Sequence, residues 1–192
     1  MLKLGLTGGI GMGKSTVANL FAAYDIACFN ADDAVHVLQA PHGGAIPALA
    51  VAFPAMVVEG VLNRPALRAL VLQNPDQMRR LEQIMHPLVR EARAAFLAQA
   101  EGQTAVLLDI PLLFETGSQA EFDKIITVSC PREVQMARVL ARGLPPEEVA
   151  ALIAKQMPDE QRRARADYVI ENGGTLVETD MQVCAIIKEL GL

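Results

Sequence analysis

The chain has 192 residues, 52% of them hydrophobic, with a formal net charge of -5 and a pI near 5.2. That length supports one domain with a substantial core, and that hydrophobic fraction excludes a disordered chain. An acidic chain lacks the basic face that a nucleic-acid backbone or an anionic membrane would require. We therefore expect neither nucleic acid nor a membrane among its partners.

The cysteines and the N-terminus indicate a cytoplasmic protein. Cys28, Cys130 and Cys184 share no metal-ligand spacing and predict buried thiols in a reducing compartment. Residues 1–7 predict a strand rather than a signal peptide. Residues 41–58 carry no charged side chain, but prolines and glycines interrupt them, which excludes a membrane-spanning helix and predicts two short buried helices.

The N-terminal pattern predicts a strand, a helix and a second strand. Residues 2–6 are a short apolar run, typical of a buried strand. Apolar residues recur at helical spacing over 14–24, and a second strand is expected over 26–30. A helix then begins at Ala31.

Residues 40–103 differ from the rest, with helical segments, several prolines and few β-branched runs. The clearest helices cover 75–85 and 87–100, with Pro87 beginning the second. Further strands are expected over 105–110, 124–130 and 167–172, and further helices over 132–142, 145–156, 159–166 and 175–190.

Strands alternating with helices predict an α/β fold, a parallel sheet covered by helices on both faces. We expect a single domain whose core comprises 1–32, 104–142 and 167–192. A helical lobe over about 33–103 and a charged segment over about 143–166 interrupt that sheet.

The sequence Gly8-x-x-x-x-Gly13-Lys14-Ser15 follows the first strand and opens the first helix, as a phosphate-binding loop does. Glycines let the backbone turn its N–H groups toward an anion, and the helix N-terminus favours that anion. Lys14 is expected to reach the β- and γ-phosphates of ATP and Ser15 to bind Mg²⁺. The predicted ATP-binding residues of the loop are Gly9, Gly11, Met12, Gly13, Lys14, Ser15 and Thr16.

The rest of the chain narrows the class to a small-molecule kinase. The Asn-Lys-x-Asp and Asp-x-x-Gly patterns of GTPases do not occur. A helical insert after the second strand would hold the acceptor, and an Arg-rich segment late in the chain would close as a lid. Closure matters because water in the site would hydrolyse the γ-phosphate.

Several motifs together carry a resemblance to a known family. In order they are "LTGGIGMGKSTV", "NAD" before a helix, "MHPLVR", "DIPLLFE" and "ADYVIENGG". The chain resembles the dephospho-CoA kinases over essentially its whole length. The resemblance implies transfer of the γ-phosphoryl group of ATP to the ribose 3′-hydroxyl of dephospho-CoA, on a P-loop kinase core with a helical CoA-binding lobe and a lid.

Two acidic residues follow predicted strands. Asp32 lies where the carboxyl end of a strand faces the phosphate crevice and is either the base that takes the hydroxyl proton or a helix N-cap; the resemblance favours the base. Asp33 is expected to be the cap. Asp109 ends an apolar run and either orders Mg²⁺ through water or is simply an acid at a strand end.

The acceptor-side residues follow mainly from the resemblance. It assigns His86 to the acceptor, and Arg90 one turn later is suited to a phosphate, although His86 also fits a helix break at Pro87. Arg64 is a further candidate, or a solvated surface residue. The loop after Asp109 is expected to line the crevice with Pro111, Leu112, Leu113 and Glu115, or to place its leucines in the core.

Arginines near the predicted lid are expected to stabilise charge on the transferred group. Arg138 and Arg142 would lie one turn apart on one helix face, and Arg162 follows in a run with Arg163 and Arg165, downstream of Lys155. Such a run also fits a solvated face. Lys14, Asp32 and Arg142 are the predicted catalytic residues.

The resemblance also places Asn172 and Gly173 near the adenine, although a turn would need Asn-Gly there in any case.

The chain departs from the family pattern at Met12, where a smaller residue is usual, and at Asn30, where an acid is frequent. It also has His36 in place of a common Arg and Gly143 in place of a common acid. Two other functions remain open: a kinase for a nucleoside monophosphate or sugar, and a nucleotide-binding regulator. We expect a monomer or a small homo-oligomer.

Overall fold

A five-stranded sheet supports the phosphate loop. The computed structural model describes residues 1–143, 145–154 and 156–192, with the backbone alone at Pro146. The strands are β1 (Leu2–Thr7), β2 (Ala27–Asn30), β3 (Val57–Val58), β4 (Val61–Leu62), β5 (Ala105–Asp109), β6 (Lys124–Ser129) and β7 (Tyr168–Glu171). The helices are α1 (Lys14–Ala23), α2 (Ala31–Leu38), α3 (Ile46–Ala52), α4 (Arg64–Gln73), α5 (Pro75–Gln99), α6 (Arg132–Leu140), α7 (Pro146–Ala154), α8 (Asp159–Arg165) and α9 (Leu176–Glu189).

The sheet order is β2–β5–β1–β6–β7, and β1 pairs in parallel with both β5 and β6. In this register Leu6 lies opposite both Asp109 and Ile126. Parallel strands bring their carboxyl ends to one edge, so the loop after β1 and the end of β5 meet there. The predicted parallel α/β sheet is confirmed.

Both faces of the sheet are buried, as a parallel sheet requires. Leu4 and Leu6 face a cluster that includes Phe21 of α1 and Val183 of α9. Gly5, between them, faces the other side, where Leu113 packs with Phe114 and Ile125. A Cβ on Gly5 would lie 2.8 Å from a methyl of Leu113, so this face approaches the strand closely.

The chain forms two compact units, residues 1–29 with 100–192 and residues 30–99. The first unit contains the sheet, the phosphate loop and the segment predicted to be a lid. The second unit packs α2 to α5 around its own apolar cluster, which includes Leu49, Phe53 and Met85.

Helix α5 continues through Pro87, so the predicted break there is wrong. Pro87 removes one backbone donor and normally ends or kinks a helix. Here Leu81, Met85 and Leu88, on both sides of the proline, pack against one cluster. That continuous apolar stripe stabilises a single helix more than the missing bond destabilises it.

Residues 41–58 form less helix than predicted. The α-helix α3 is followed by a single 3₁₀ turn at Pro54–Met56 and then by the hairpin of β3 and β4, which the sequence pattern did not predict. The hairpin turns at Glu59 and Gly60, both with positive φ. Because Glu occupies the first of these positions, the sequence lacks the Asn-Gly or Asp-Gly pair that usually indicates a tight hairpin turn.

Among the residues that the structure describes, no helix has the length and apolar character needed to cross a membrane.

A capping box at the start of α9 generates a stability prediction. The Thr175 hydroxyl accepts a bond from the Glu178 N–H, and a Glu178 carboxylate oxygen accepts one from the Thr175 N–H at 2.7 Å. Replacing Thr175 by Ala should lower the free energy of unfolding by about 1 kcal/mol in urea titrations. Thr104→Ala, at an exposed threonine, is the control and should change it by less than about 0.5 kcal/mol.

The same box should respond to pH. Bonds from the Thr175 N–H and hydroxyl hold the pKa of Glu178 below its ordinary value of 4.5. A lowered pKa in the folded state stabilises the fold above about pH 4.5 and loses that contribution as pH falls through the folded pKa. The advantage of the wild type over Glu178→Gln, which removes the titrating group, should therefore shrink below that pH, and an unchanged advantage would contradict this role of Glu178.

Candidate active site

The phosphate loop takes a backbone path that only glycine tolerates at two positions. Gly11 and Gly13 have φ angles of 77° and 92°. A Cβ on Gly11 would lie 2.5 Å from a methyl of Val139, and one on Gly13 would lie 2.0 Å from the Asn172 amide nitrogen. Neighbouring side chains therefore pack directly onto the loop backbone.

Lys14 and Asp109 meet at the carboxyl edge of the sheet. Lys14 is the first residue of α1 and Asp109 the last of β5, and the ammonium nitrogen lies 3.8 Å from a carboxylate oxygen. Asp109 is buried, whereas Ser15 is exposed at the first turn of α1. A cation, a carboxylate and a helix N-terminus thus lie together where the phosphates of a nucleotide would bind.

The residues here fit Mg²⁺. The Ser15 hydroxyl and the Asp109 carboxylate are hard oxygen donors, the kind this ion prefers. Within the described chain no cluster of three His, Cys, Asp or Glu side chains could hold a metal alone. Mg²⁺ typically takes its remaining ligands from water and substrate phosphates, so Ser15 and Asp109 are the residues that would hold it.

Arg162 is buried against the phosphate loop, so the solvated alternative is wrong for this residue. Its side chain is 4% exposed, and its guanidinium donates to the Met157 carbonyl at 2.6 Å and pairs with Asp159 at 3.4 Å. A Cβ on Gly9 would lie 2.8 Å from one guanidinium nitrogen. A buried arginine held against the loop is placed to act on a phosphate.

The other predicted lid cations differ in their surroundings. Arg138 approaches the Met12 carbonyl at 3.5 Å. Arg142 does not lie on the same helix as Arg138, because α6 ends at Leu140 and Arg142 is exposed beyond that end. Gly143, with a φ of 82°, follows in the turn.

The remaining basic residues of the run differ in whether they are paired or exposed to solvent. Arg163 pairs with Glu171 and donates to the Ser129 hydroxyl. Arg165 is exposed, which fits the solvated alternative. Lys155 lies outside the described residues.

Asn172 connects the phosphate loop to α9. Its amide nitrogen donates to the Met12 carbonyl at 2.9 Å, and its amide oxygen accepts from the Thr179 hydroxyl at 3.1 Å. The side chain is buried, and Gly173 lies so close to Pro131 that a Cβ would be 2.4 Å from a ring carbon. The predicted adenine contact of Asn172 and Gly173 stays a prediction, and the structure adds a structural role.

The Met12 side chain points into the core, where its sulfur lies 3.4 Å from the sulfur of Cys130. Burial raises the pKa of the Cys130 thiol, and burial with the charge of Asp109 raises that of Cys28 to about 11. Both thiols therefore stay protonated at neutral pH and supply no nucleophile.

The loop after β5 is held by its own contacts. The Pro111 carbonyl accepts a bond from the Thr7 hydroxyl at 3.4 Å, and Glu115 accepts one from the Met157 N–H at 2.9 Å. Leu113 is fully buried in the core, as the alternative held, whereas Leu112 is exposed. Leu112 is thus the leucine of this loop whose side chain is accessible to a ligand.

In the second unit, Asn30 rather than Asp32 or Asp33 caps α2. The Asn30 side-chain oxygen accepts bonds from the Asp32 and Asp33 N–H groups at 2.8 and 3.0 Å. The prediction that Asp33 is the cap is wrong, because Asn30, three residues earlier, is the residue whose side-chain oxygen reaches the free N–H groups of the first turn. Both aspartates are exposed in the first turn, so the Asp32 carboxylate is not engaged in capping.

A cleft of about 800 Å³ lies on the second unit. His36, Arg64 and Arg68 provide its basic groups, and His36 Nδ1 lies 2.9 Å from the Asp32 carbonyl oxygen, which can only accept a bond from it. Its apolar walls are Pro65, Leu67, Val71, Leu72, Met78 and Leu81. His36, which lines the cleft, is one turn from Asp32 on α2.

The structure separates three of the predicted acceptor-side residues, Arg64, His86 and Arg90. Arg64 lines the cleft, whereas His86 and Arg90 are exposed on α5 and do not line it. Arg68, which does line it, was missed because one more arginine on an amphipathic helix carries no distinct signal. The same holds for Gln135 and Gln156, which bond to the phosphate loop.

Asn172 provides a test of how the loop is supported. Asn172→Ala leaves the Met12 carbonyl and the Thr179 hydroxyl short of a partner, so the free energy of unfolding should fall by about 1–3 kcal/mol. The loop would also lose a restraint, and ATP should bind several-fold more weakly in calorimetric titrations. Asn19→Ala, at an exposed position on α1, is the matched control. Unchanged stability and affinity in Asn172→Ala would contradict the role.

Comparison with known proteins agrees with this geometry. The sequence model of the dephospho-CoA kinase family (CoaE) matches residues 2–178. A dephospho-CoA kinase of Mesorhizobium japonicum is 48% identical over 193 residues, covering 99% of this chain and 97% of its own.

Solved structures share the fold. A Thermus thermophilus protein superposes with a TM-score of 0.85 at 38% identity, covering 98% of this chain and 97% of its own. A Campylobacter jejuni dephospho-CoA kinase superposes with a TM-score of 0.73 at 23% identity, covering 98% and 96%, and shows the fold alone. By sequence over nearly its full length, the chain belongs to the dephospho-CoA kinase family.

Proposed function

We propose that the protein transfers the γ-phosphoryl group of ATP to the ribose 3′-hydroxyl of dephospho-CoA, giving coenzyme A and ADP. Family membership supports the reaction. The observation that carries the choice of acceptor is the cleft lined by His36, Arg64 and Arg68, which joins apolar walls to basic groups. Dephospho-CoA likewise joins an anionic pyrophosphate to an extended, largely uncharged arm.

The phosphate loop holds the donor. The amides of the loop and the N-terminus of α1 bind the β- and γ-phosphates, and Lys14 bonds to them in place of Asp109. Ser15 and Asp109 are the residues that would hold Mg²⁺, which would neutralise charge on the transferred group. Arg138, Arg142 and Arg162 add positive charge as it moves.

Asp32 acts as the base. As the 3′-oxygen forms its bond to the γ-phosphorus, the bond from that phosphorus to the β–γ bridging oxygen breaks and ADP leaves. The hydroxyl proton passes to the Asp32 carboxylate. Because Asn30 caps the helix, this carboxylate is available for that proton.

We also propose that the enzyme is cytoplasmic and acts as a monomer or small homo-oligomer. The three cysteines, all within the part of the chain that the structure describes, are free thiols, which supports a reducing compartment.

Asp32→Asn tests the base, with Asp33→Asn as a matched control. Both aspartates are exposed in the same turn, so the two variants change charge equally. Asp32→Asn should lower kcat by about 10²–10⁴-fold with unchanged ATP affinity, because only proton acceptance is lost. Asp33→Asn should stay within about threefold. Turnover is followed by mass detection of coenzyme A, and equal effects in the two variants would refute the role.

The acceptor cleft is tested with Arg64→Ala and Arg68→Ala, and Arg79→Ala on α5 serves as the control. Each cleft variant should raise KM for dephospho-CoA about tenfold, since charge-assisted bonds to phosphate contribute roughly 1.5–3 kcal/mol. KM for ATP should not change. If neither cleft variant moves KM for the acceptor, the cleft does not bind it.

The same assay separates the other functions. Dephospho-CoA should stimulate ADP release more than a nucleoside monophosphate or a simple sugar does. A preference for either of those would indicate a different kinase, and release that no acceptor stimulates would indicate a regulator.

A further inference from the structure

Two glutamines bond to a single residue of the phosphate loop. The Ile10 N–H donates to the Gln156 side-chain oxygen at 2.9 Å, and the Gln135 side-chain nitrogen donates to the Ile10 carbonyl at 2.8 Å. Gln135 belongs to α6, and Gln156 follows α7. Both polar groups of the Ile10 backbone are therefore bonded to side chains from outside the loop.

The backbone dictates the direction of each bond. An amide N–H only donates and a carbonyl only accepts, whichever way a glutamine side chain is turned. Gln156 must therefore act as an acceptor and Gln135 as a donor. The two glutamines have opposite requirements, although they are the same residue type.

The surroundings leave both side chains little freedom. Gln135 is 3% exposed. A Cβ on Gly9 would lie 3.2 Å from the Gln156 oxygen, 3.3 Å from the Gln135 nitrogen and 2.8 Å from Arg162. Three side chains thus converge on the loop at Gly9 and Ile10.

Restraint at Ile10 acts on the glycine-rich part of the loop. Ile10 lies between Gly9 and Gly11, and glycine loses more conformational entropy on ordering than any other residue. Bonding both sides of Ile10 to the protein fixes the orientation of the peptides that follow. Those peptides lead to Gly13 and Lys14, where the phosphates bind.

We propose that Gln135 and Gln156 are positioning residues that hold the phosphate loop in its ATP-binding conformation, with Gln156 linking the end of α7 to the loop. The proposal rests on the proposed function only in taking ATP as the donor. A loop ordered in advance binds its ligand more tightly, because the cost of ordering is not paid on binding.

Replacing each glutamine by glutamate tests these opposite hydrogen-bonding roles, because a carboxylate can accept but cannot donate. Gln156→Glu keeps an acceptor for the Ile10 N–H, so ATP affinity should stay within about threefold of wild type. Gln135→Glu puts a carboxylate against the Ile10 carbonyl and should weaken ATP binding about tenfold or more. Gln156→Leu, which lacks an acceptor, should weaken it similarly. ATP binding is measured by calorimetric titration without acceptor, beside KM for ATP and kcat.

Gln161, exposed on α8, supplies the controls Gln161→Glu and Gln161→Leu, which should match wild type. A pH series sharpens the contrast. Gln135→Glu should regain affinity relative to wild type as pH falls toward the pKa of the new carboxyl, since a protonated carboxyl donates to the Ile10 carbonyl. A purely structural defect would show no such recovery.

The outcomes are separable. Equal ATP affinities in Gln156→Glu and Gln156→Leu would overturn the proposal, and this contrast remains available if thermal unfolding shows that Gln135→Glu does not fold. Wild-type affinity in a folded Gln135→Glu would overturn it as well. Because ATP binding is measured without acceptor, an error in the choice of dephospho-CoA would leave these results unchanged.

Discussion

A phosphate loop binds through its backbone, and this structure depends on how the backbone from Gly8 to Ser15 is restrained. Gly11 and Gly13 adopt left-handed conformations that no other residue takes cheaply. The loop does not hold this backbone conformation by itself, because glycine-rich segments have many other accessible conformations. Here Asn172 holds the loop from the side of α9, and Gln135, Gln156 and Arg162 lie against it at Gly9 and Ile10.

This restraint explains why Met12 is acceptable in the loop. Its carbonyl accepts the bond from Asn172, while its side chain is buried beside Cys130. The part of the residue that supports the loop is the backbone, which any residue would provide. The large side chain contributes apolar packing where a small residue would leave space. The departure from the family pattern thus changes the core beneath the loop rather than its polar surface.

Much of the fold could be predicted because periodicity and the loop motif are local signals. The parallel sheet and the strand–loop–helix context follow from such signals. The continuous α5 could not be predicted, since its stability through Pro87 comes from packing of Leu81, Met85 and Leu88 on one cluster. The hairpin at Glu59 and Gly60 was missed for a related reason, because tertiary context imposes a positive φ on a glutamate.

The same difference between local sequence signals and long-range contacts decides which residues of the candidate site could be predicted. Lys14 and Ser15 belong to a sequence motif whose spacing indicates phosphate and Mg²⁺ binding. The hydrogen bonds of Gln135 and Gln156, in contrast, join segments that are far apart in the chain. Nothing local distinguishes those glutamines from Gln161. The cap of α2 adds a subtler case, in which Asn30, Asp32 and Asp33 are all competent caps by residue type. Only the backbone decides that Asn30 takes that role, and this leaves both carboxylates exposed in the first turn of the helix. A carboxylate that is not committed to capping can accept a proton, so the amide at position 30 has a direct bearing on the chemistry proposed for Asp32.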